Sequence, residues 1–419
     1  MNREKTGQLR EQACISKNPK YQEAIARKGL LYQRLEDIRS PFSRDYNRIL
    51  HSTAFSRLKH KTQVFFAVEN DHICTRMEHV NHVASIGQTI SSKLGLNTQL
   101  ANAIALGHDL GHAPFGHAGE TKLKEIARKE LGIQFWHEKN SLRFVDDIET
   151  LKDPENNQQN LNLTYAVRDG IVCHCGEIFD EHLHPRDEAL DLNDIKKADN
   201  LLPFTWEGCV VRVADKIAYL GRDIDDAQRL GILTSGQDEE LKEIVKDIIP
   251  QNGGNINNTV LIHKFILDLC DNSTLNSGIC FSKNMYQLMK LVKKFNYENI
   301  YDHPRLSSYK KYANLILESI YEQLYGMYSH KYTLDKLKEN RRFFPSLLRG
   351  FYWYIIKYSD LRWEANVKNR NIDKISKYKN KVLYKIDREE DYKTAILDYL
   401  SGMTDNFAIR SFGEITSFR

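Results

Sequence analysis

Residues Gly107–Glu120, GHDLGHAPFGHAGE, place three histidines, an aspartate and a glutamate in one short stretch. Imidazole nitrogens and carboxylate oxygens are the donors proteins use for divalent cations in hydrolysis, imidazole for softer and carboxylate for harder ions. The adjacent pair His108-Asp109 opens the stretch, and His79 precedes it. A further carboxylate is needed from elsewhere, and Asp215 in VVRVADKIAYLGRD is the best candidate. It is an isolated acid in an apolar helical run, where an uncompensated charge is costly. The expected ligands of a divalent metal ion are therefore His79, His108, Asp109 and Asp215. Mg²⁺ or Mn²⁺ suits phosphate chemistry, and the histidines also admit Fe or Co. Because imidazole binds metal only when neutral, activity is expected to fall at acid pH.

His117 lies nine residues after His108, in a turn that Gly111, Pro114 and Gly116 let fold back over the metal. A histidine there can protonate a leaving oxygen or orient an attacking water. Glu120, within one helical turn of it, can hold the imidazole in one tautomer. Lys216 follows Asp215 and offers a flexible point charge for phosphate. Asp215, Tyr219 and Asp223 recur at i, i+4 and i+8, along one helix face. His72, His82, His174 and His182 stand alone and read as hydrogen-bonded core histidines.

The elements that must position these groups are helices. Only 22 Gly and 9 Pro interrupt 419 residues, and long stretches are rich in Leu, Ile, Lys, Glu and Tyr. Thr75–Leu96 carries Met77, Val80, Val83, Ile86, Ile90 and Leu94 at helical spacing. Leu96–Leu110 reads as a second helix, ended by Gly111 and Pro114, and Gly208–Leu230 as a third. Two antiparallel helices would then present His79 and His108-Asp109 to one ion. No alternating run with a tight Asn-Gly turn stands out, which argues against a large sheet, and a helical fold is expected. Asp153–Asn162 and Gln251–Asn258 read as polar surface loops, the second a soft boundary between a core at 1–250 and a helical region at 251–419. The Tyr-, Lys- and Leu-rich part after residue 290 reads as helical packing and an oligomer surface.

Composition bounds the function. At 41% hydrophobic the chain fills a sizeable core, which excludes disorder and disulfide scaffolds. Sixty Lys+Arg against 56 Asp+Glu leave +4, too little to argue for nucleic acid alone. No run approaches the roughly 18 apolar residues of a membrane span. The start MNREKTGQLREQ lacks a signal-peptide core, and seven cysteines form no CxxC pair, so no membrane and a cytoplasmic location are expected.

The order His79, His108-Asp109, Asp215 resembles the H…HD…D signature of the HD superfamily of metal-dependent phosphohydrolases. RDYNRILHSTAFSRLKHKTQVF, TRMEH, GHDLGHAPFGHAGE, LNLTYAVRDGIVCH and ADKIAYLGRDIDDA together are similar to the deoxyguanosinetriphosphate triphosphohydrolase family. The resemblance runs from about Glu36 to Gly231 and more weakly through Ser282–Pro304. It implies an HD-domain helical bundle that hydrolyses a deoxynucleoside triphosphate, dGTP among them, to the deoxynucleoside and inorganic tripolyphosphate by water attack at the α-phosphate. It implies His117 and Glu120 as the catalytic pair, and Arg76, His112, His137 and Lys216 as triphosphate contacts. Gln63, Tyr219 and Asp223 would meet the sugar, Tyr219 excluding a 2′-hydroxyl and Asp223 accepting from the 3′-hydroxyl. Relatives form symmetric homo-oligomers, tetramers or hexamers, some activated by a nucleotide effector.

A few positions depart from the family pattern and bear on base preference and effector binding. Ser56 replaces a basic residue in AFSRL, His82 replaces a glutamate three residues after His79, and Trp136 and Glu138 alter the surroundings of His137. Two other functions fit parts of the chain. One is an HD nucleotidase or phosphodiesterase, against which the set Lys216, His112 and His137 argues, since a short phosphate needs fewer cations. The other is a nucleotide-sensing regulator that binds single-stranded nucleic acid through LVKKFN, YKKY and SKYKNKVLYK, where tyrosines interleave with lysines.

Overall fold

The structure, a computed structural model, describes residues 7–32, 37–65, 72–175, 181–196, 201–246, 258–362 and 375–417. The longer helices that carry the site are α1 (Pro41–Leu50), α2 (Arg76–Leu94), α3 (Thr98–Gly107), α4 (Gly116–Leu131), α5 (His137–Arg143) and α6 (Tyr165–Val172). They continue with α7 (Trp206–Arg229), α8 (Asn258–Asn272), α9 (Lys283–Asn296), α10 (Pro345–Tyr358), α11 (Glu389–Ser401) and α12 (Asp405–Thr416). The fold is all-α: among the described residues the only sheet is the antiparallel pair β1 (Thr150–Lys152) and β2 (Gln158–Asn160), with Leu151 opposite Gln159. This pair sits where a surface loop was expected, and Asp153 makes the turn by accepting from the amides of Glu155 and Asn157. The expected loop Gln251–Asn258 lies outside the described residues except for Asn258, which opens α8.

The chain divides into two compact units, each assembled from three stretches. The first comprises Met1–Leu50, Asn70–Asp109 and Leu163–Ser307; the second comprises His51–Glu69, Leu110–Asn162 and Ser308–Arg419.

In the first unit α2 begins with a capping box, in which the Thr75 side chain accepts from Glu78 N–H and the Glu78 carboxylate accepts from Thr75 N–H. It ends at Gly95, whose φ of 83° is the left-handed conformation that closes a helix. Three residues later α3 starts under an Asn97 cap. The long helix α7 ties α2 down at both ends. Glu207, in the first turn of α7, accepts from the amides of Asn97 and Cys14, each at 2.9 Å. Asp226, near the other end, accepts from Cys74 N–H at 2.9 Å. The helices α2 and α7 therefore run antiparallel. On α1 the buried Asp45 accepts from the amide and hydroxyl of Thr164, which opens α6, and from Arg27.

Contact between α3 and α6 is set by glycine. A Cβ on Gly170 would lie 2.5 to 2.7 Å from three side-chain atoms of the buried Ile104. The two helices therefore approach more closely than any larger residue allows, and this approach sets where the ends of both helices lie.

In the second unit α4 packs on α11, and α10 packs on α11 and α12. The core is apolar, with Leu123, Ile126, Phe144, Phe351, Ile355 and Leu400 all buried. Arg143 of α5 grips Asp398 of α11 in a two-pronged pair, Nε to Oδ1 at 2.8 Å and Nη2 to Oδ2 at 2.6 Å. Tyr384 donates to the same carboxylate at 2.6 Å. The helices after residue 345 are thus part of the packing around α4 and α5. Among the described residues no helix is long and apolar enough to cross a membrane.

Gly170→Ala is expected to destabilise the protein by up to about 2 kcal/mol, because overpacking costs about 1–3 kcal/mol against a helix-propensity gain of roughly 1 kcal/mol. A urea melt with a lower midpoint and an unchanged slope checks this.

Candidate metal and phosphate site

The first unit brings four of the expected side chains into one buried cluster. His79 lies in the first turn of α2, His108 and Asp109 directly follow α3, and Asp215 is mid-way along α7. His79 Nε2 is 2.9 Å from Asp215 Oδ1 and 3.9 Å from Asp109 Oδ2. His108 Nε2 is 3.5 Å from Asp109 Oδ1 and 3.7 Å from Asp215 Oδ1. His108 Nδ1 is 2.6 Å from the Ala105 carbonyl, which can only accept, so Nδ1 carries the proton. Its Nε2 lone pair consequently faces the carboxylates, buried and without a hydrogen-bond partner. Ligand atoms of His79, His108 and Asp215 lie within 4.8 Å of one another. Two imidazoles and two carboxylates converging this closely, with one nitrogen unpartnered, fit a divalent cation.

The electrostatics agree. Burial works against charging His79, but the hydrogen bond and charge of Asp215, with Asp109 behind, outweigh it and push the imidazole up. Burial would raise Asp215, yet the bond from His79 and the charges of His79, His108 and His174 hold it well below the usual carboxylate range. Arg76 is 1% exposed and donates from Nη1 to Asp109 Oδ2 at 2.7 Å, so its guanidinium neutralises one carboxylate.

His174 was expected to be an ordinary core histidine, and the structure places it at this cluster. It follows α6, its Nδ1 is 2.7 Å from the Ile171 carbonyl, and its ring centroid is 4.8 Å from that of His108. Its ligand atom lies within 4.8 Å of those of His108 and Asp109.

Along α7, Lys216 is buried, and burial with Arg212 and Lys293 nearby pushes it down to about 8. Asp223 is also buried, which pushes its carboxyl up to about 7. Tyr301, in the turn Tyr297–Tyr301 that follows α9, donates to Asp223 Oδ2 at 2.5 Å. Sequence reasoning missed Tyr301; its trace was a tyrosine in the more weakly similar stretch Ser282–Pro304. Asn296 fixes this turn by donating to the Leu220 carbonyl of α7 at 2.9 Å.

The second unit gathers the other expected residues. Glu120 on α4 is 3% exposed, with Oε1 3.3 Å from His137 Nδ1 and Oε2 3.8 Å from His117 Nδ1. Burial would raise Glu120, but His137, His117 and His112 facing it hold it well below the usual range. The His112 and His137 rings stack 3.9 Å apart, whereas the His117 side chain is 72% exposed, free to meet a ligand. Gln63 is half-buried, and its Oε1 has no hydrogen-bond partner.

A buried His/His-Asp/Asp cluster in an all-α fold defines an HD-domain, metal-dependent phosphohydrolase, and the HD domain family model matches residues 76–220. Deoxyguanosinetriphosphate triphosphohydrolase-like proteins are similar over much more of the chain. That of Caldanaerobacter subterraneus is 32% identical over 90% of this chain and 86% of its own length. That of Bartonella quintana is 31% identical over 96% and 94%, and that of Desulfatibacillum aliphaticivorans 39% identical over 68% and 73%. The chain belongs to the deoxyguanosinetriphosphate triphosphohydrolase-like family.

A proton on His79 competes with a metal ion, and Asp215 holds that proton to a higher pH than an ordinary imidazole would. Mn²⁺ affinity is therefore expected to weaken by about tenfold per pH unit below the raised value, and to recover as pH rises through it. Calorimetry in buffers of different ionisation enthalpy should show more than half a proton released per ion bound at the pH where a free imidazole is half protonated.

Proposed function

We propose that the protein hydrolyses deoxynucleoside triphosphates, dGTP among them, to the deoxynucleoside and inorganic tripolyphosphate. The observation that carries this reading is the row on α7: Asp215 in the metal cluster, Lys216 beside it, then Tyr219 and Asp223 with Tyr301. One helix thus presents a ligand for a cation, a charge for phosphate and a polar pair suited to a sugar hydroxyl. The names of the relatives, which speak of deoxyguanosine triphosphate, support the same reading.

His79, His108, Asp109 and Asp215 would hold Mg²⁺ or Mn²⁺, with Fe or Co compatible with the histidines. A bound divalent ion supplies charge for the α-phosphate and lowers the pKa of water. His117 protonates the leaving 5′-oxygen or orients the attacking water, and the ionised Glu120 fixes its tautomer. Lys216 at about 8 is still mostly cationic at neutral pH and binds the polyphosphate, together with His112 and His137. Arg76, which donates to Asp109 and holds it in place, would be a further contact for the phosphates. Tyr219 packs on the deoxyribose, where a 2′-hydroxyl would clash, while Asp223 and Gln63 receive the 3′-hydroxyl. An HD nucleotidase or phosphodiesterase would instead act on a monoester or a cyclic nucleotide.

Incubation with dGTP and Mn²⁺ is expected to release tripolyphosphate and deoxyguanosine; dGMP with pyrophosphate would refute attack at the bond proposed. His117→Ala should lower kcat by about 100-fold or more with Mn²⁺ still bound, whereas Asp215→Ala should lose both. A fully active Asp215→Ala would remove Asp215 from the ligand set.

Asp223 gains its charge as pH rises through about 7, and only the charged form is a full acceptor for the 3′-hydroxyl. KM for dGTP is therefore expected to fall between pH 6 and 8, and Asp223→Asn should flatten that trend.

A further inference from the structure

The segment that bears His112 and His117 is held by its backbone, at points supplied by α5, by Lys61 and by the start of α12, all in the second unit. Gly111 N–H donates to Ser141 Oγ at 2.9 Å, and its carbonyl accepts from Asn140 Nδ2 at 2.6 Å. No side chain fits there, since a Cβ on Gly111 would lie 2.1 Å from Ser141 N. The His112 carbonyl accepts from the Lys61 ammonium, which also donates to the Ser401 carbonyl at 2.9 Å. Lys61 is 1% exposed, so its charge serves the interior and not solvent.

The next point of attachment is the most demanding. Phe115 has φ 64° and ψ 24°, a left-handed conformation that a bulky residue keeps only when its surroundings hold it. Its N–H donates to Asp405 Oδ1 at 2.9 Å. The other oxygen of that carboxylate accepts from Thr62 twice, from the amide at 3.1 Å and the hydroxyl at 2.7 Å. Asp405 is buried at the start of α12, nearly three hundred residues from Phe115 in sequence. Thr62 lies between Lys61 and Gln63. A single carboxylate therefore joins the backbone beside Gln63 to the backbone beside His117, and Lys61 joins the same two stretches a second time.

We propose that Asp405, with Lys61, is a positioning residue that sets the register of the His112–His117 segment against Gln63, and so aligns the proton-donating group with the sugar contact. Both are buried and act through the backbone of their neighbours. This rests on the reading of His117 and Gln63 given above. A shift of about an ångström in either segment is enough to cost up to about 100-fold in turnover.

The test compares Asp405→Ala, Asp405→Asn and Thr62→Val with His117→Ala, reading kcat and KM for dGTP with Mn²⁺ alongside hydrogen exchange of peptides spanning residues 60–65 and 110–119. Asp405→Ala is expected to lose about tenfold or more in kcat, to raise KM and to lose exchange protection in both peptides together, with Mn²⁺ affinity unchanged. Asparagine retains one acceptor oxygen, so Asp405→Asn should recover part of kcat. Thr62→Val, which removes only the hydroxyl, should loosen both peptides to a smaller degree and keeps the test open if Asp405→Ala fails to fold. Wild-type kcat in Asp405→Ala beside an inactive His117→Ala would overturn the positioning role alone. An active His117→Ala would overturn the catalytic reading, while joint deprotection in Asp405→Ala would still uphold the coupling of the two segments. Unchanged protection in both peptides would overturn that coupling.

Discussion

Two carboxylates, the buried Asp109 and the largely buried Asp215, meet in the first unit, and the arrangement of α2, α3 and α7 is bound up with the need to balance them. Each buried anion costs several kcal/mol unless opposite charge and hydrogen bonds meet it. Arg76 and His79 reach them from one turn of α2, and His108 reaches both from the end of α3. Those approaches are only as good as the helix contacts beneath them. The close contact of Gly170 with Ile104 and the anchoring of α2 to Glu207 and Asp226 leave the imidazoles little freedom to drift. Stability and chemistry thus draw on the same few contacts.

Along α7 the surroundings assign three different proton affinities to groups within two helical turns or so. Asp215 faces imidazoles and stays ionised, Lys216 is weakened by burial and by Arg212 nearby, and Asp223 is buried beside a tyrosine and pushed up to about 7. The residue types alone would have two identical aspartates. Position on the helix makes one a permanent anion and the other a conditional hydrogen-bond acceptor.

Local signals made much of this legible in the sequence. Apolar spacing and few glycines or prolines mark the helices. Asp215 stood out because an acid in an apolar run needs a partner, and His108-Asp109 because two donors are adjacent. His174, Tyr301 and Asp405 carried no such mark. Each matters through a partner distant in the chain, His108, Asp223 and Phe115, and single histidines, tyrosines and aspartates at those spacings are ordinary. The short β1–β2 pair was hidden for another reason: a polar stretch of Asn and Gln pairs through its backbone, which composition does not report. The division into units was equally hidden, because α7 and α8, on either side of the expected soft boundary, pack in the same one.

The anchoring of Glu207 also bears on how far the signature region is a module. The stretch matched by the HD family model runs from residue 76 to 220, yet the carboxylate that fastens the start of α7 accepts from Cys14, and the bond from Cys74 to Asp226 that ties the other ends of α2 and α7 lies wholly outside it. An excised fragment of that stretch would carry every proposed ligand and lack the struts that keep them apart at the right distance. The stretch recognisable as a motif is therefore smaller than the packed unit around it, and grafting the motif alone would transplant the donors without their scaffold.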